Sequence, residues 1–232
     1  MVTAALLAGG TGARMGSDVP KQYLEIGGKP IIIHSAQRFI ESGLIDGMLV
    51  AAAGEYLEYA RSFFEKFLPD YKNIKFLTGG ATRSDTLMNI LSVLHENGAS
   101  GDDIVLTHDA VRPFITKQII ESNIAAARQF GACSTCVPAV DTVFISAEGQ
   151  FIDSVPERRT VYHAQTPQSF RAEELYTLCR GIPADVFSGL TDGCSVYTYY
   201  GKKVAMVPGS TRNIKITYPE DIKKAEIFLK GE

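Results

Sequence analysis

The sequence predicts an α/β protein built on a mostly parallel sheet with helices on both faces. Short apolar segments rich in Val, Ile and Leu alternate with amphipathic helical segments from residue 3 to about residue 140, the pattern of a parallel sheet covered on both sides. At 232 residues the chain suits one such domain better than two. A single site is therefore expected, at the carboxyl edge of the strands, where open parallel sheets bind their ligands.

The elements follow in order. A strand at about residues 3–7 leads into "AGGTGARMG". In "PIIIHSAQRFIES" the residues Ile31, Ile32, Ala36, Phe39 and Ile40 fall on one helical face, and Gly43 ends the helix. Then come "GMLVAAA" as strand, "EYLEYARSFFEKFL" as helix, "IKFLTGG" as strand, "RSDTLMNILSVLHENG" as helix and "DIVLTHDA" as strand. "KQIIESNIAAARQFG" is the next helix and "ACSTCVPAV" the next strand. The alternation breaks at "DTVFISAEGQFIDSVPERRTVYHAQ", where apolar and polar residues alternate around "AEGQ". That segment reads as a β-hairpin arm at about 141–159, protruding from a single domain that spans 1–232. Helices return at about 172–180 and 192–200. The last, "PEDIKKAEIFLKG", follows a Thr217-x-x-Glu220 capping box with Pro219 in its first turn.

Composition narrows the function. A chain that is 45% hydrophobic and 21% charged builds a substantial core instead of remaining disordered. Its formal charge of −3 supplies no global field toward nucleic acid or an anionic membrane, so neither is an expected partner. Any bound anion must be held locally. No stretch approaches the roughly 18 apolar residues of a membrane span, and "MVTAALLAGGTG" lacks the basic region of a signal peptide, so a cytoplasmic setting is expected. Cys133 and Cys136 form a C-x-x-C inside a segment that reads as a buried strand, where an offset of three sends the thiols to opposite faces. Structural thiols are expected there, and Cys179 and Cys194 stand alone. Neither a disulfide nor a zinc site is expected.

The chemistry concentrates in the loop after the first strand. Gly9, Gly10 and Gly12 let backbone N–H groups converge on an anion without side-chain obstruction. The spacing matches neither G-x-x-x-x-G-K-[ST] nor G-x-G-x-x-G. It adds Arg14 and Lys21, two cations placed to fold over what the glycines hold, as a triphosphate cradle requires. At the end of a later strand "THDAVRPF" carries Asp109 and Arg112. A carboxylate there can join triphosphate oxygens in holding Mg²⁺, which prefers one or two carboxylates with phosphates and water. His108 is assigned to packing.

With those residues in view, "LAGGTGARMG" followed by "PKQYLEIGGKP" resembles the start of a nucleotidyltransferase, and the chain from residue 3 to about 230 resembles the cytidylyltransferases that make CDP-alditols. The resemblance implies a Rossmann-like nucleotidyltransferase fold, CTP and an alditol phosphate as substrates, Mg²⁺ as cofactor and a homodimer joined through the arm. It implies catalytic roles for Arg14, Lys21 and Lys215. It places Leu7, Ala8, Gly9, Gly10, Thr11, Gly12, Gly80, Ala81, Arg83, Thr86, Asp109 and Ala110 at CTP, with Asp109 as metal ligand. "LTGGATRSDTL" is its cytosine-reading segment, with Thr86 opening a helix. "VDTVFIS", "VPERRTVYHAQTPQSF", "GLTDGCSV" and "STRNIKIT" resemble its remaining motifs. Through these, Arg112, Thr142, Arg158, Thr166, Thr191 and Asp192 are implied at the alditol phosphate.

One branch of this family acts on 2-C-methyl-D-erythritol 4-phosphate for isoprenoid synthesis, the other on D-ribitol 5-phosphate for teichoic-acid or capsule polymers. Phe144, where a lysine is usual in the first branch, and Cys194 after Thr191-Asp192-Gly193 lean toward ribitol 5-phosphate. Methylerythritol phosphate is the alternative acceptor. A noncatalytic nucleotide-binding protein on the same fold is the reading from another class.

Overall fold

Seven strands form the central sheet of the computed structural model, which describes residues 1–10, 15, 16 and 19–231. The elements are β1 (Val2–Ala8), β2 (Glu25–Ile26), β3 (Lys29–Pro30), α1 (Ile31–Ser42), β4 (Gly47–Ala52), α2 (Leu57–Phe67), β5 (Ile74–Thr78), α3 (Arg83–Glu96) and β6 (Ile104–Asp109). They continue with α4 (Lys117–Phe130), β7 (Ala132–Pro138), β8 (Tyr162–Arg171), α5 (Ala172–Arg180), α6 (Ala184–Gly189), α7 (Gly193–Tyr199), β9 (Ala205–Pro208) and α8 (Pro219–Lys230). The sheet order is β5-β4-β1-β6-β8-β7-β9, while β2 and β3 make a separate small ribbon.

The expected parallel half is present. β1 pairs in parallel with β4 and β6, and β4 with β5. Successive residues of β1 serve opposite faces, as the two-residue period of a strand dictates. Ala4, Leu6 and Ala8 pack with Ile32, Phe39, Phe64 and Ile120 from α1, α2 and α4. Ala5 packs on the other side with Leu87, Ile90 and Leu91 of α3, Leu175 of α5 and Val196 of α7. A smaller cluster of Ile26, Ile31, Val111, Phe114, Ile216 and Ala225 seats α8 against the β6 end of the sheet. Among the described residues no helix is long and apolar enough to cross a membrane.

Four local expectations change. β8 lies in the middle of the sheet, antiparallel to β6 and β7, although only its first residues, through Gln165, fell in a segment with an alternating pattern, and that pattern was read as part of a protruding arm. Its buried residues include Gln165, Thr166, Gln168 and Ser169, so hydropathy could not mark it. β9 adds an edge strand parallel to β7. The arm is not a regular ribbon: one isolated bridge joins Ile145 to Ser154, and the pairing with β7 begins at Tyr162. The final cap sits one residue later than expected, because Asp221 Oδ2 accepts from the N–H groups of both Thr217 and Tyr218 at 3.0 Å.

The pairing of β7 with β8 shifts register between Ser134 and Cys136, whose partners are Gln168 and Ala164. Two steps on β7 thus face four on β8. The surplus residues lie at 165–167, and irregularities of this kind re-aim side chains near sites. Cys133 on β7 packs into the α4-side core, and Cys179 lies among the α3 and α5 residues. Burial pushes both thiols up to about 12 and raises Cys136 and Cys194 as well. Because the thiolate is the reactive form, an aromatic disulfide reagent at neutral pH is expected to find no fast-reacting thiol in the native protein and four after denaturation. One rapidly modified cysteine in the native protein would contradict this packing.

Candidate active site

A cavity of about 530 Å³ opens at the carboxyl edge of β1 and β6. Leu7, Gly9 and Gly10 bring β1 and its loop to the wall, and Lys21 and Gln22 close that side. The glycine loop is tied by Gln22, whose Nε2 donates to the carbonyls of Ala8 and Gly10 at 2.6 and 3.0 Å. Lys21 itself is largely buried. Thr11, Gly12 and Arg14, expected in this cradle, lie outside the described residues.

The opposite wall is the turn from β5 into α3. Gly80, Ala81, Thr82, Arg83 and Thr86 line it. Thr82 is the N-cap, its Oγ1 accepting from Asp85 N while Asp85 Oδ2 accepts from Thr82 N. Such a reciprocal box satisfies two donors that the helix start would otherwise leave open. The helix therefore opens at Arg83, and Thr86 sits in its first turn. Thr86 Oγ1 donates to Thr82 O and accepts from Gly80 N, both at 2.9 Å. Its hydroxyl is thus spent on shaping the loop. Gly80 lies so close to Asp85 that a Cβ there would overlap that residue's own Cβ, which accounts for glycine at this position.

The centre of the cavity is electrostatic. Asp109 Oδ1 accepts from Arg83 Nη1 at 2.8 Å, and Oδ2 faces Lys215 Nζ at 3.0 Å and Arg112 Nε at 3.3 Å. Burial alone would raise the Asp109 carboxyl, but Arg83, Lys215 and Arg112 outweigh it and hold it well below the usual carboxylate range. Among the described residues three cations face this one carboxylate, a local surplus of positive charge. The cations differ in freedom. The Arg112 side chain is 10% exposed, whereas Arg83 and Lys215 are 34% and 38% exposed toward the cavity.

Behind Asp109 the polar groups form a closed chain. His108 Nε2 lies 3.0 Å from the Arg112 carbonyl, which can only accept, so that nitrogen carries the proton. Nδ1 then accepts from Thr166 Oγ1 at 3.1 Å, and Thr166 Oγ1 accepts from Asp109 N at 3.1 Å. Burial pushes the His108 imidazole down to about 4, keeping it neutral in this arrangement. It packs edge-on to Phe39, as its assignment to packing anticipates.

Not every expected residue reaches the cavity. Ala110 is fully buried, with its carbonyl accepting from Ser35 Oγ at 2.8 Å, so it belongs to the core and not to the ligand wall. Arg112 and Thr166 stand behind Asp109 as its supports. Asp192 caps α7, where its Oδ1 accepts from Ser195 N and Oγ, and its Oδ2 accepts from Gln168 Nε2 at 2.6 Å. That carboxylate is fully engaged inside the chain, and Thr191 beside it is exposed. Thr142 and Arg158 meet each other on the arm, Nη2 donating to Oγ1 at 3.1 Å, and neither lines the cavity. Sequence reasoning missed Gln22, Thr82, Val111 and Thr217 on the wall. The signal for Gln22 was its place directly after Lys21.

A cavity at the strand ends, lined by cations, a glycine loop and a tight backbone turn, has the chemistry to hold a polyphosphate, and comparison with known proteins gives the class as nucleotidyltransferase, specifically cytidylyltransferase. The chain belongs to the 2-C-methyl-D-erythritol 4-phosphate cytidylyltransferase (IspD) family, whose model matches residues 2–231. Among solved structures it is similar to 4-diphosphocytidyl-2C-methyl-D-erythritol synthase from Anaerococcus prevotii, with 29% identity, a TM-score of 0.82, and 99% of this chain and 96% of that one covered. The 2-C-methyl-D-erythritol 4-phosphate cytidylyltransferase of Francisella tularensis matches at 28% identity and a TM-score of 0.77, covering 97% and 98% of the two chains. That of Thermus thermophilus matches at 26% identity and a TM-score of 0.74, covering 98% of each.

The charge cluster makes a stability prediction. Replacing Asp109 by Ala strands Arg112 without its carboxylate in a buried position, a change that costs about 3–5 kcal/mol. Arg83 and Lys215 add less because water screens them. A urea midpoint unchanged in Asp109→Ala would show that the cluster does not hold the strand ends.

Proposed function

We propose that this chain transfers CMP from CTP to the phosphate of an alditol phosphate, and that 2-C-methyl-D-erythritol 4-phosphate is the acceptor. The observation that carries the first part is the positively charged cavity around Asp109, faced by the Gly80 turn. The names of the solved relatives favour methylerythritol phosphate and move the reading away from ribitol 5-phosphate. Phe144 keeps the ribitol reading as the second one. It is 56% exposed on the arm, where it offers an acceptor no positive charge.

In the proposed reaction an acceptor phosphate oxygen attacks the α-phosphorus in line. The new O–P bond forms as the bond to the β-phosphate oxygen breaks, and pyrophosphate leaves with that electron pair. The acceptor phosphate is already ionised at neutral pH, so no general base is needed, and positioning with charge neutralisation carries the rate. Lys21, Arg83 and Lys215, which line the cavity, would take up the negative charge, and Arg14 would join them by family resemblance. We infer a handover: the two exposed cations leave Asp109 for phosphate oxygens, while Arg112 stays.

The donor set fits a phosphate-borne Mg²⁺. Asp109 is the one carboxylate on the cavity wall among the described residues, and an ion arriving on a triphosphate needs no more than one or two. Asp109 would hold it once Arg83 has moved away. The ion would supply further neutralisation of phosphate charge. Among the described residues no group of three His, Cys, Asp or Glu side chains forms a separate metal site.

The acceptor and base are tested together by following pyrophosphate release with Mg²⁺. CTP is expected to outperform UTP, because backbone groups at Gly80 and Ala81 suit the donor and acceptors of cytosine, and a site built for one hydrogen-bonding edge rejects another strongly. Methylerythritol 4-phosphate is expected to turn over faster than ribitol 5-phosphate. The opposite order would restore the ribitol reading, and equal use of UTP would remove the cytosine assignment.

The arm belongs to the same proposal. Val140, Phe144, Ile145, Phe151, Ile152 and Val155 are 52–75% exposed on it, an apolar face that a second copy of the chain would cover across a two-fold axis. Thr142 and Arg158 would then serve the neighbour's cavity, with the planar Arg158 fork gripping a phosphate. Lys21→Ala is expected to lower kcat by on the order of 10²–10³. Mixing inactive Lys21→Ala and Arg158→Ala chains should restore activity, since hybrid dimers contain one intact site. No recovery after confirmed subunit exchange would reject the shared site.

A further inference from the structure

Lys215 and Arg112 reach Asp109 from parts of the chain with little regular structure. Lys215 lies in the segment between β9 and α8, and Arg112 follows β6. Flexible cations would lose much of their value, because a misplacement of about 1 Å can cost on the order of 10²-fold in rate. Something must fix both, and two buried amide side chains stand at the required place.

Gln165 projects from the irregular stretch of β8. Its Nε2 donates to Ser210 O at 2.9 Å and its Oε1 accepts from Ser210 N at 3.4 Å, so one carboxamide matches both backbone groups of one residue. Gly209 has no side chain because a Cβ there would run into Gln165 Oε1. Asn213, fully buried, continues the chain of contacts. Its Nδ2 donates to Gln165 Oε1 at 3.2 Å and to Thr166 O at 2.9 Å, and its N donates to Ser210 O at 3.0 Å. Its carbonyl accepts from Arg112 Nη1 at 2.8 Å. Two residues on, Lys215 meets Asp109, and Ile216 N donates to Val111 O at 3.0 Å.

We propose that Asn213, held by Gln165, is a positioning residue that sets Arg112 and Lys215 together on Asp109, so that the cavity presents its cations at fixed points. The claim rests on the cytidylyltransferase reading of the cavity, and neither amide touches a substrate. Buried polar groups are costly unless paired, and among the described residues Asn213 Oδ1 has no partner. An apolar residue in its place would avoid that burial cost. What an apolar residue would lose is the pair of Nδ2 bonds to Gln165 and Thr166 that tie this stretch of backbone to β8, and that same backbone carries the bonds to Ser210 and Arg112.

The test is a double-mutant cycle. Asn213→Ala is expected to lower kcat/KM for CTP on the order of 10²-fold in the wild-type background. In a Lys215→Ala background the same change should cost under about 3-fold, since Arg112 stays on Asp109 and the effect on turnover passes through the lysine. A general structural role would cost the same factor in both backgrounds, and that result would overturn the proposal, as would full activity of Asn213→Ala. Where Asn213→Ala fails to fold by circular dichroism, Gln165→Met decides by the same cycle, with loss confined to the background that retains Lys215. Wild-type protein that turns over neither acceptor would reject the cytidylyltransferase reading itself and this role with it. Wild-type activity with no coupling rejects the role alone.

Discussion

One buried carboxylate, Asp109, organises this protein. It ends the central parallel strand β6 in a place where burial opposes its charge, and it stays ionised because Arg83, Arg112 and Lys215 converge on it. The three come from the start of α3, the turn after β6 and the segment before α8. A single ion cluster thus joins the wall expected to face the base to the segments that close the cavity floor. The arrangement has a specific weakness and a specific use. Buried ion clusters contribute little net stability compared with apolar packing, yet surplus positive charge at a strand edge is what a polyphosphate needs.

The surrounding polar chain makes sense from that constraint. A neutral His108, locked by the Arg112 carbonyl on one side and Thr166 on the other, leaves the hydroxyl of Thr166 able to accept the Asp109 N–H. The backbone of Asp109 is held by neutral partners and its carboxylate by charged ones. This separation explains why His108 and Thr166 sit in the site without facing it.

Much of the fold was legible because hydrophobic period and glycine placement decide it. The parallel half, from β1 through β6 with α1 to α3, follows from alternating apolar runs and helical faces. β8 was not legible. It is buried through Gln165, Thr166, Gln168 and Ser169, whose partners Asn213, His108, Asp192 and Asn123 lie far away in sequence. In the site, Lys21 and Asp109 could be marked because a charge in a glycine loop or at a strand end stands out, whereas Lys215 entered only through the resemblance of "STRNIKIT" to a family motif. Gln22 and Asn213 carry no charge and no periodicity, and they become visible only through the carbonyls that they bind. Asp192, a carboxylate in a family motif, caps α7, a use that its place in the motif did not announce.

The central claim is that the exposed cations on Asp109 serve the triphosphate and change partners when it arrives. A crystal structure with CTP bound, compared with the free protein, tests it most directly. The account predicts Arg83 and Lys215 within hydrogen-bonding distance of phosphate oxygens, with Arg112 still on Asp109 and on the Asn213 carbonyl. A CTP complex in which all three cations remain on Asp109, with the triphosphate bound elsewhere, would contradict it.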